Sequence, residues 1–319
     1  MASPVLHGRG LSRHYAAVCD LAAFSDPEIA RVMLEIAPEA DPTRPHRKYW
    51  EFATAALFLR DTGHLAEDAE ILDVGAGTDP MLYWLAARAR RVVAIDIYGR
   101  GDFSYREAAG SMLADPAAFA PYAYPQERLE ALNMDARDLE FPDESFDAVV
   151  SFSSIEHFGS REDIARAAAE IGRVLRPGGH AFIVTEVLVR HAPVDRAPVL
   201  AAIRALTLGR RCSQATLRTR GIGEVFTAHE LRSRIMRPSG LDLMQPLRLD
   251  QSPGSQENPF SLRPDGSATS SSGRPYPHLV VRANRSLFTS VAMPLVKPSR
   301  AQRWRGGTKR GSLALSAPR

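Results

Sequence analysis

The run Ile71-Leu72-Asp73-Val74-Gly75-Ala76-Gly77-Thr78 constrains this chain more than any other stretch. A short apolar strand enters a glycine turn, and Met81-Leu82-Tyr83-Trp84-Leu85-Ala86-Ala87-Arg88 then reads as a helix. Strand, glycine turn and helix make the βα unit of a nucleotide-binding fold. Gly75 and Gly77 let the backbone turn and approach a ligand without a Cβ clash, while Thr78 and the helix start offer donors. Asp96, nineteen residues beyond Gly77, ends the next apolar run, where a carboxylate accepts hydrogen bonds from ribose hydroxyls. These signals indicate an adenosine-type ligand and suit NAD as well. Pro80 occupies the third glycine position of the dinucleotide fingerprint, which argues against a pyrophosphate. Asp73 is placed for a cationic ligand portion, directly or through water.

The alternation continues: strands at Arg91 to Ile97 and Phe146 to Phe152, a helix at Glu162 to Leu175, a turn at Arg176-Pro177-Gly178-Gly179 and a strand at His180 to Glu186. This predicts an α/β, Rossmann-like, doubly wound and mostly parallel seven-stranded sheet with an antiparallel last strand, an N-terminal helical cap and inserts. The expected division is a cap over 1–66 carrying a helix from Arg47 to Leu59, a core over 67–190, a lid segment and closing strands over 191–297, and a tail over 298–319. Irregular stretches from Tyr98 to Glu130 and from Val187 to Phe226 lie where a substrate lid would sit. Thr227 and Glu230 form a capping-box pair opening a helix that stops near Gly240. Strands are expected at Leu241 to Leu249, His278 to Arg282 and Leu287 to Val296, with a loop over Ser252 to Pro277.

Composition excludes several classes. Cys19 and Cys212 are the two cysteines and show no metal-ligand spacing, so neither a disulfide framework nor a zinc site is expected. No stretch has the length of an apolar membrane span, and the first residues lack a signal-peptide core; a cytoplasmic location is the expectation. The net charge of +3 belongs to the last 23 residues, which hold seven basic residues and no acid. That tail reads as a solvated, disordered terminus, with a polyanion or membrane surface as its alternative partner.

Five motifs follow in order: Asp73-Val74-Gly75-Ala76-Gly77-Thr78, Asp96, Met134-Asp135-Ala136, Phe141-Pro142-Asp143-Glu144-Ser145-Phe146-Asp147 and Leu175-Arg176-Pro177-Gly178-Gly179. Together they resemble the class I S-adenosylmethionine-dependent methyltransferases, of the small-molecule type found in ubiquinone and menaquinone biosynthesis. The resemblance implies S-adenosyl-L-methionine as cofactor. Asp73, Gly75, Gly77 and Thr78 would line its amino-acid end, Asp96 and Ile97 its ribose side, Asp135 and Ala136 its adenine, and Ser151 and Phe152 its methyl group.

Glu156 and His157 are the catalytic candidates, because an oxygen acceptor must lose a proton and both types accept one. A Glu-His pair that merely caps a helix is the alternative. In the resemblance, metal-binding relatives carry an acid where Ser153 stands, so no metal is expected. The expected activity is methyl transfer, O-methylation first, to a small-molecule or glycan acceptor. An NAD-dependent oxidoreductase and a non-catalytic cofactor-binding scaffold are the alternatives. Nucleic acid is not an expected partner, since no Asn-Pro-Pro-Tyr or Asp-Pro-Pro-Tyr follows the fourth strand.

Overall fold

The computed structural model describes residues 11–299 except 12, 42, 102–103, 105–106, 191–223, 258, 263–267, 271–278 and 284–285. The helices are α1 (Pro27–Ile36), α2 (Arg47–Asp61), α3 (Met81–Ala86), α4 (Arg161–Val174) and α5 (residues 228–239). The five strands β1 (Glu70–Val74), β2 (Arg91–Asp96), β3 (Leu129–Asn133), β4 (Phe146–Phe152) and β5 (Leu175–Arg190) stand in the order 3-2-1-4-5, all parallel. β10 (Ser286–Val296) runs antiparallel along β5, as expected of the last strand. This is the doubly wound Rossmann-like sheet, and its strand order reverses between β1 and β4.

Alternation along the strands divides the core between the two faces, because successive side chains point to opposite sides of a sheet. Ile71, Val92, Ala94, Val150 and Phe182 pack with α1, α2 and α3. Leu72, Val74, Val93, Val149 and Ile183 pack with α4 and α5. Both faces are covered, which is why these strands read as continuous apolar runs.

α2 differs from an ordinary surface helix. Every residue from Trp50 to Leu59 is buried, Glu51 and Thr54 included. A helix buried all round brings its charged residues inside with it, and this one carries Glu51 to the carboxyl end of β4 and the amino-terminal half of β10.

The sheet reaches ten strands among the described residues, beyond the seven expected. β7 (Phe260–Leu262), β8 (Ala268–Ser270) and β9 (Val281–Ala283) extend it past the upper half of β10, so strands stand inside the stretch read as a loop. The strand foreseen over Leu241 to Leu249 shortens to β6 (Asp242–Leu243) against the end of β10. The reason lies at the other end of the chain. Residues 17 and 18 enter beside β10: Cys19 N donates to Ser290 O, Ala292 N to Ala17 O, and Arg248 N to Ala16 O. β3 likewise begins within the Tyr98 to Glu130 insert, whose earlier part folds into short 3-10 turns.

Thr227 and Glu230 form both halves of the expected capping box, and α5 stops at Gly240 in the left-handed region. Its middle, Leu231–Met236, widens to a π-helix. Pro238, one turn on, has no N–H to donate to the carbonyl of residue 234, a common reason for such a bulge. The candidate lid over 191–223, Phe103, Tyr105 and the tail from 300 onward lie outside the described residues.

Candidate cofactor and acceptor site

The carboxyl ends of β1, β2 and β4 bring most of the sequence-predicted residues together. After Val74 the chain turns back on β2: Gly75 N and Ala76 N both donate to Ile95 O, at 2.9 and 3.0 Å. Gly75 and Gly77 have φ of 72° and 52°, a region L side chains rarely adopt. A Cβ on Gly75 would lie 2.5 Å from Ser154 Cβ, and one on Gly77 2.5 Å from the Glu107 carbonyl oxygen. The glycines are therefore required by the close approach of the protein's own backbone to this loop, as well as by the turn.

Asp96 fixes the loop from the side. Its Oδ2 accepts from Gly77 N at 3.0 Å and its Oδ1 from Ile97 N at 2.7 Å, while Tyr98, buried in the insert, donates its hydroxyl to Gly77 O at 2.8 Å. Burial raises the Asp96 carboxyl and the two backbone donors pull it back. Each oxygen retains a lone pair for a hydroxyl donor. Ile97 is 42% exposed, one of three large apolar side chains so placed among the described residues. It offers a flat apolar contact beside the Asp96 carboxylate.

Asp73 is wholly buried and neither of its carboxyl oxygens has a hydrogen-bond partner. Burial and the nearby Asp79 charge hold its carboxyl well above the usual range. An orphaned buried carboxyl is costly, and a cationic ligand group relieves it. With the Asp96 carboxylate and the Ile97 face, this is a donor set that fits S-adenosylmethionine.

β4 is clamped onto this loop. Ser151 Oγ donates to Val74 O at 2.8 Å and Ser154 Oγ to Gly75 O at 2.7 Å, so Ser151 ties the two strands together rather than reaching outward. Phe152 meets Phe52 of α2 edge to face at 5.1 Å. Asp135, expected against adenine, is engaged by Arg137, which donates to both its oxygens and lowers its carboxyl; Ala136 beside it is buried. Thr78 and Asp79 lead into α3, which has no side-chain cap.

Glu156 and His157 lie on a 3-10 turn, Ile155–His157, just past β4. Glu156 is 1% exposed; Thr185 Oγ1 donates to its Oε2 at 2.7 Å, and its Oε1 has no donor. Burial, and then the negative charge of Glu186, push its carboxyl up to about 8. His157 is half-buried, with its backbone N–H bonded to Ser154 O.

Several site residues escaped the sequence reading. Arg47, Lys48 and Glu51 come from one turn of α2. Arg47 pairs with Glu186, and its Nη1 also reaches Ser290 Oγ at 3.3 Å. Lys48 Nζ donates to Phe152 O at 2.8 Å and pairs with Asp79 at 3.3 Å. Glu51 Oε1 accepts from Ser153 Oγ at 2.9 Å and from Ser290 Oγ at 2.5 Å. Charged residues one turn into an otherwise apolar helix were the available signal. Trp50, Tyr98, Tyr122 and Tyr124, by contrast, pack into or against the core.

Residues 72–183 match the methyltransferase-domain family. A phosphatidylethanolamine N-methyltransferase of Cereibacter sphaeroides is 32% identical over 148 residues, 46% of this chain and 63% of that protein. An erythromycin 3''-O-methyltransferase of Saccharopolyspora erythraea is 30% identical over 154 residues, 47% of this chain and 46% of that one. The chain thus spans about half to just under two thirds of the length of these relatives. Among solved structures, the YcgJ protein of Bacillus subtilis aligns with 76% of this chain and 97% of its own, at 16% identity and a TM-score of 0.46.

Sheet order, glycine loop and family match define a Rossmann-like nucleotide-binding domain of the methyl-transferring kind. Residues 72–183 thus form a methyltransferase domain of the Rossmann-like, S-adenosylmethionine-dependent type. NAD, the alternative left open by the glycine turn, is set aside by that match. No described helix is long and apolar enough to cross a membrane.

Proposed function

We propose that this chain transfers the methyl group of S-adenosylmethionine to a hydroxyl of a small-molecule or glycan acceptor, with Glu156 as the base. Bound at the glycine loop, the cofactor supplies an electrophilic methyl on a positively charged sulfur. What remains for the protein is alignment, exclusion of water and one proton. Asp73, Asp96 and Ile97 would hold the cofactor's cationic, ribose and base portions, and α2 with Lys48 closes over the loop through Asp79 and Phe152 O.

The observation that carries the reading is the Glu156 carboxyl, buried at the end of β4 with one oxygen free of donors and raised to about 8. A base with that affinity for protons is matched to neutral pH. The acceptor O–H gives its proton to Glu156 as the O–C bond forms and the S–C bond breaks, leaving S-adenosylhomocysteine. His157, at the next position, would pass that proton to solvent.

The test is methyl transfer from labelled cofactor to an acceptor panel across pH. With Glu156 as base, kcat/KM rises to a plateau above about pH 8, and Glu156→Gln loses roughly 10²–10⁴-fold with the rise abolished. His157→Ala loses less than about tenfold. A Glu156→Gln enzyme with wild-type turnover removes the base from the mechanism. Relatives include both N- and O-methyltransferases, and the acid-rich site keeps an amine nitrogen as the second acceptor reading.

A further inference from the structure

The turn after β3 carries an ion pair that uses up most of a carboxylate. Asp135 Oδ1 accepts from Arg137 N at 2.9 Å and from Arg137 Nε at 2.8 Å, which occupies both of its lone pairs. Oδ2 accepts from Nη2 at 2.5 Å, and Nε, shared between the two oxygens, lies 3.0 Å from it. One lone pair of Oδ2 therefore stays open, on a side chain that is 40% exposed. The planar fork of the guanidinium fixes the plane of the carboxylate and with it the direction of that lone pair.

The guanidinium is braced from behind. Arg137 Nη1 lies 3.6 Å from Asp163 Oδ1 in the first turn of α4, where Asp163 also closes a capping box with Ser160. Farther along, Leu139 N donates to Glu170 Oε2 at 2.9 Å, and Arg173 donates to Leu139 O and Phe141 O, both at 2.7 Å. The loop after β3 is thus laced along α4. On its other side the same turn touches the ribose carboxylate: Met134 N donates to Asp96 O at 3.0 Å, and β3 pairs with β2 as far as Asn133 beside Asp96. A base carried by a ribose at Asp96 would pass the exposed face of Ile97 and come to this turn, which presents the Oδ2 lone pair. An amino N–H satisfies such an acceptor, and a C–H leaves it unpaired.

We infer that Arg137 is a positioning and specificity-determining residue for the cofactor, aiming the Asp135 carboxylate so that the base is selected by its 6-amino group. This rests on the cofactor reading of the glycine loop and Asp96, and adds the residue that sets selectivity for the base. Arg137 acts through Asp135 and touches no reacting atom. Without the fork the carboxylate rotates and offers its lone pairs to water, so the N–H of the base gains little.

The experiment is a calorimetric titration of the full chain with S-adenosylhomocysteine and with its 6-deamino analogue, in which hydrogen replaces the amino group. The wild type prefers S-adenosylhomocysteine at least about tenfold. Asp135→Asn and Arg137→Ala each bring the ratio to within about threefold of one, and Arg137→Lys, which keeps the charge without the fork, falls between. An arginine that merely braced the loop would weaken both ligands alike, so an unchanged ratio in Arg137→Ala overturns the proposal. Equal binding of the two ligands by the wild type, or a preference that survives Asp135→Asn, overturns it as well, and these two readings stand even where Arg137→Ala folds poorly. All three results leave the cofactor site intact, whereas failure of S-adenosylhomocysteine to bind the wild type defeats that reading and the proposal with it.

Discussion

Replacing Glu156 by glutamine turns the burial of one carboxyl into a measurable pH dependence. In the folded chain the group is raised from its ordinary 4.5 to about 8 by burial and by Glu186. Between those values the folded state holds a proton that the unfolded chain has released. Stability contributed by the protonated form is therefore complete below about pH 4.5 and is lost as pH rises through about 8. One proton corresponds to about 1.4 kcal/mol per pH unit. From about pH 5.5 to about pH 7.5 the wild type loses about 2–3 kcal/mol that the variant does not, worth roughly 5–10 °C in Tm. Glutamine has nearly the volume of the carboxyl and keeps an acceptor for Thr185, so the two proteins melt close together at the acid end. Differential scanning fluorimetry of the two proteins, without cofactor, reads the effect. Parallel Tm curves across that range refute the buried-carboxyl argument, and the base assigned to it falls with it.

Other predictions follow from single contacts. Gly77→Ala forces a Cβ to within 2.5 Å of the Glu107 carbonyl at a φ of 52°, and costs about 1–3 kcal/mol together with most of the cofactor affinity, read by melting and calorimetry. Lys48→Met leaves the half-buried Asp79 carboxyl without its ion pair; because Lys48 is a third exposed, the loss is about 1–3 kcal/mol, and Asp79→Asn in the same protein restores part of it in a double-mutant cycle.

The sheet was legible because its strands are apolar on both faces and end in turn residues, and β1, β2 and β4 fall within a residue of their expected bounds. The capping box at Thr227 is a local pattern and needed no tertiary information. β6 was not legible: residues 245–249 carry strand-like composition, yet their partner is the segment at 16–18, more than two hundred residues away. In the site, the glycines and Asp96 announce themselves by spacing, since a turn is local. Glu51, Arg47 and Glu186 do not, because their meeting depends on α2 lying across β4 and β10. Ser151 shows the converse: the resemblance places it near the methyl group, and the bond of its hydroxyl to Val74 O could not be read from the sequence, because it crosses from β4 to β1.

Binding of S-adenosylhomocysteine to the wild type and to Asp96→Ala tests the central claim most directly. Calorimetry should show one site in the wild type, and an affinity at least about tenfold weaker in the variant, the loss of hydrogen bonds to a charged acceptor being worth about 1.5–3 kcal/mol. The absence of heat with the wild type, or equal affinities for the two proteins, contradicts the assignment of the glycine loop and Asp96 as the cofactor site.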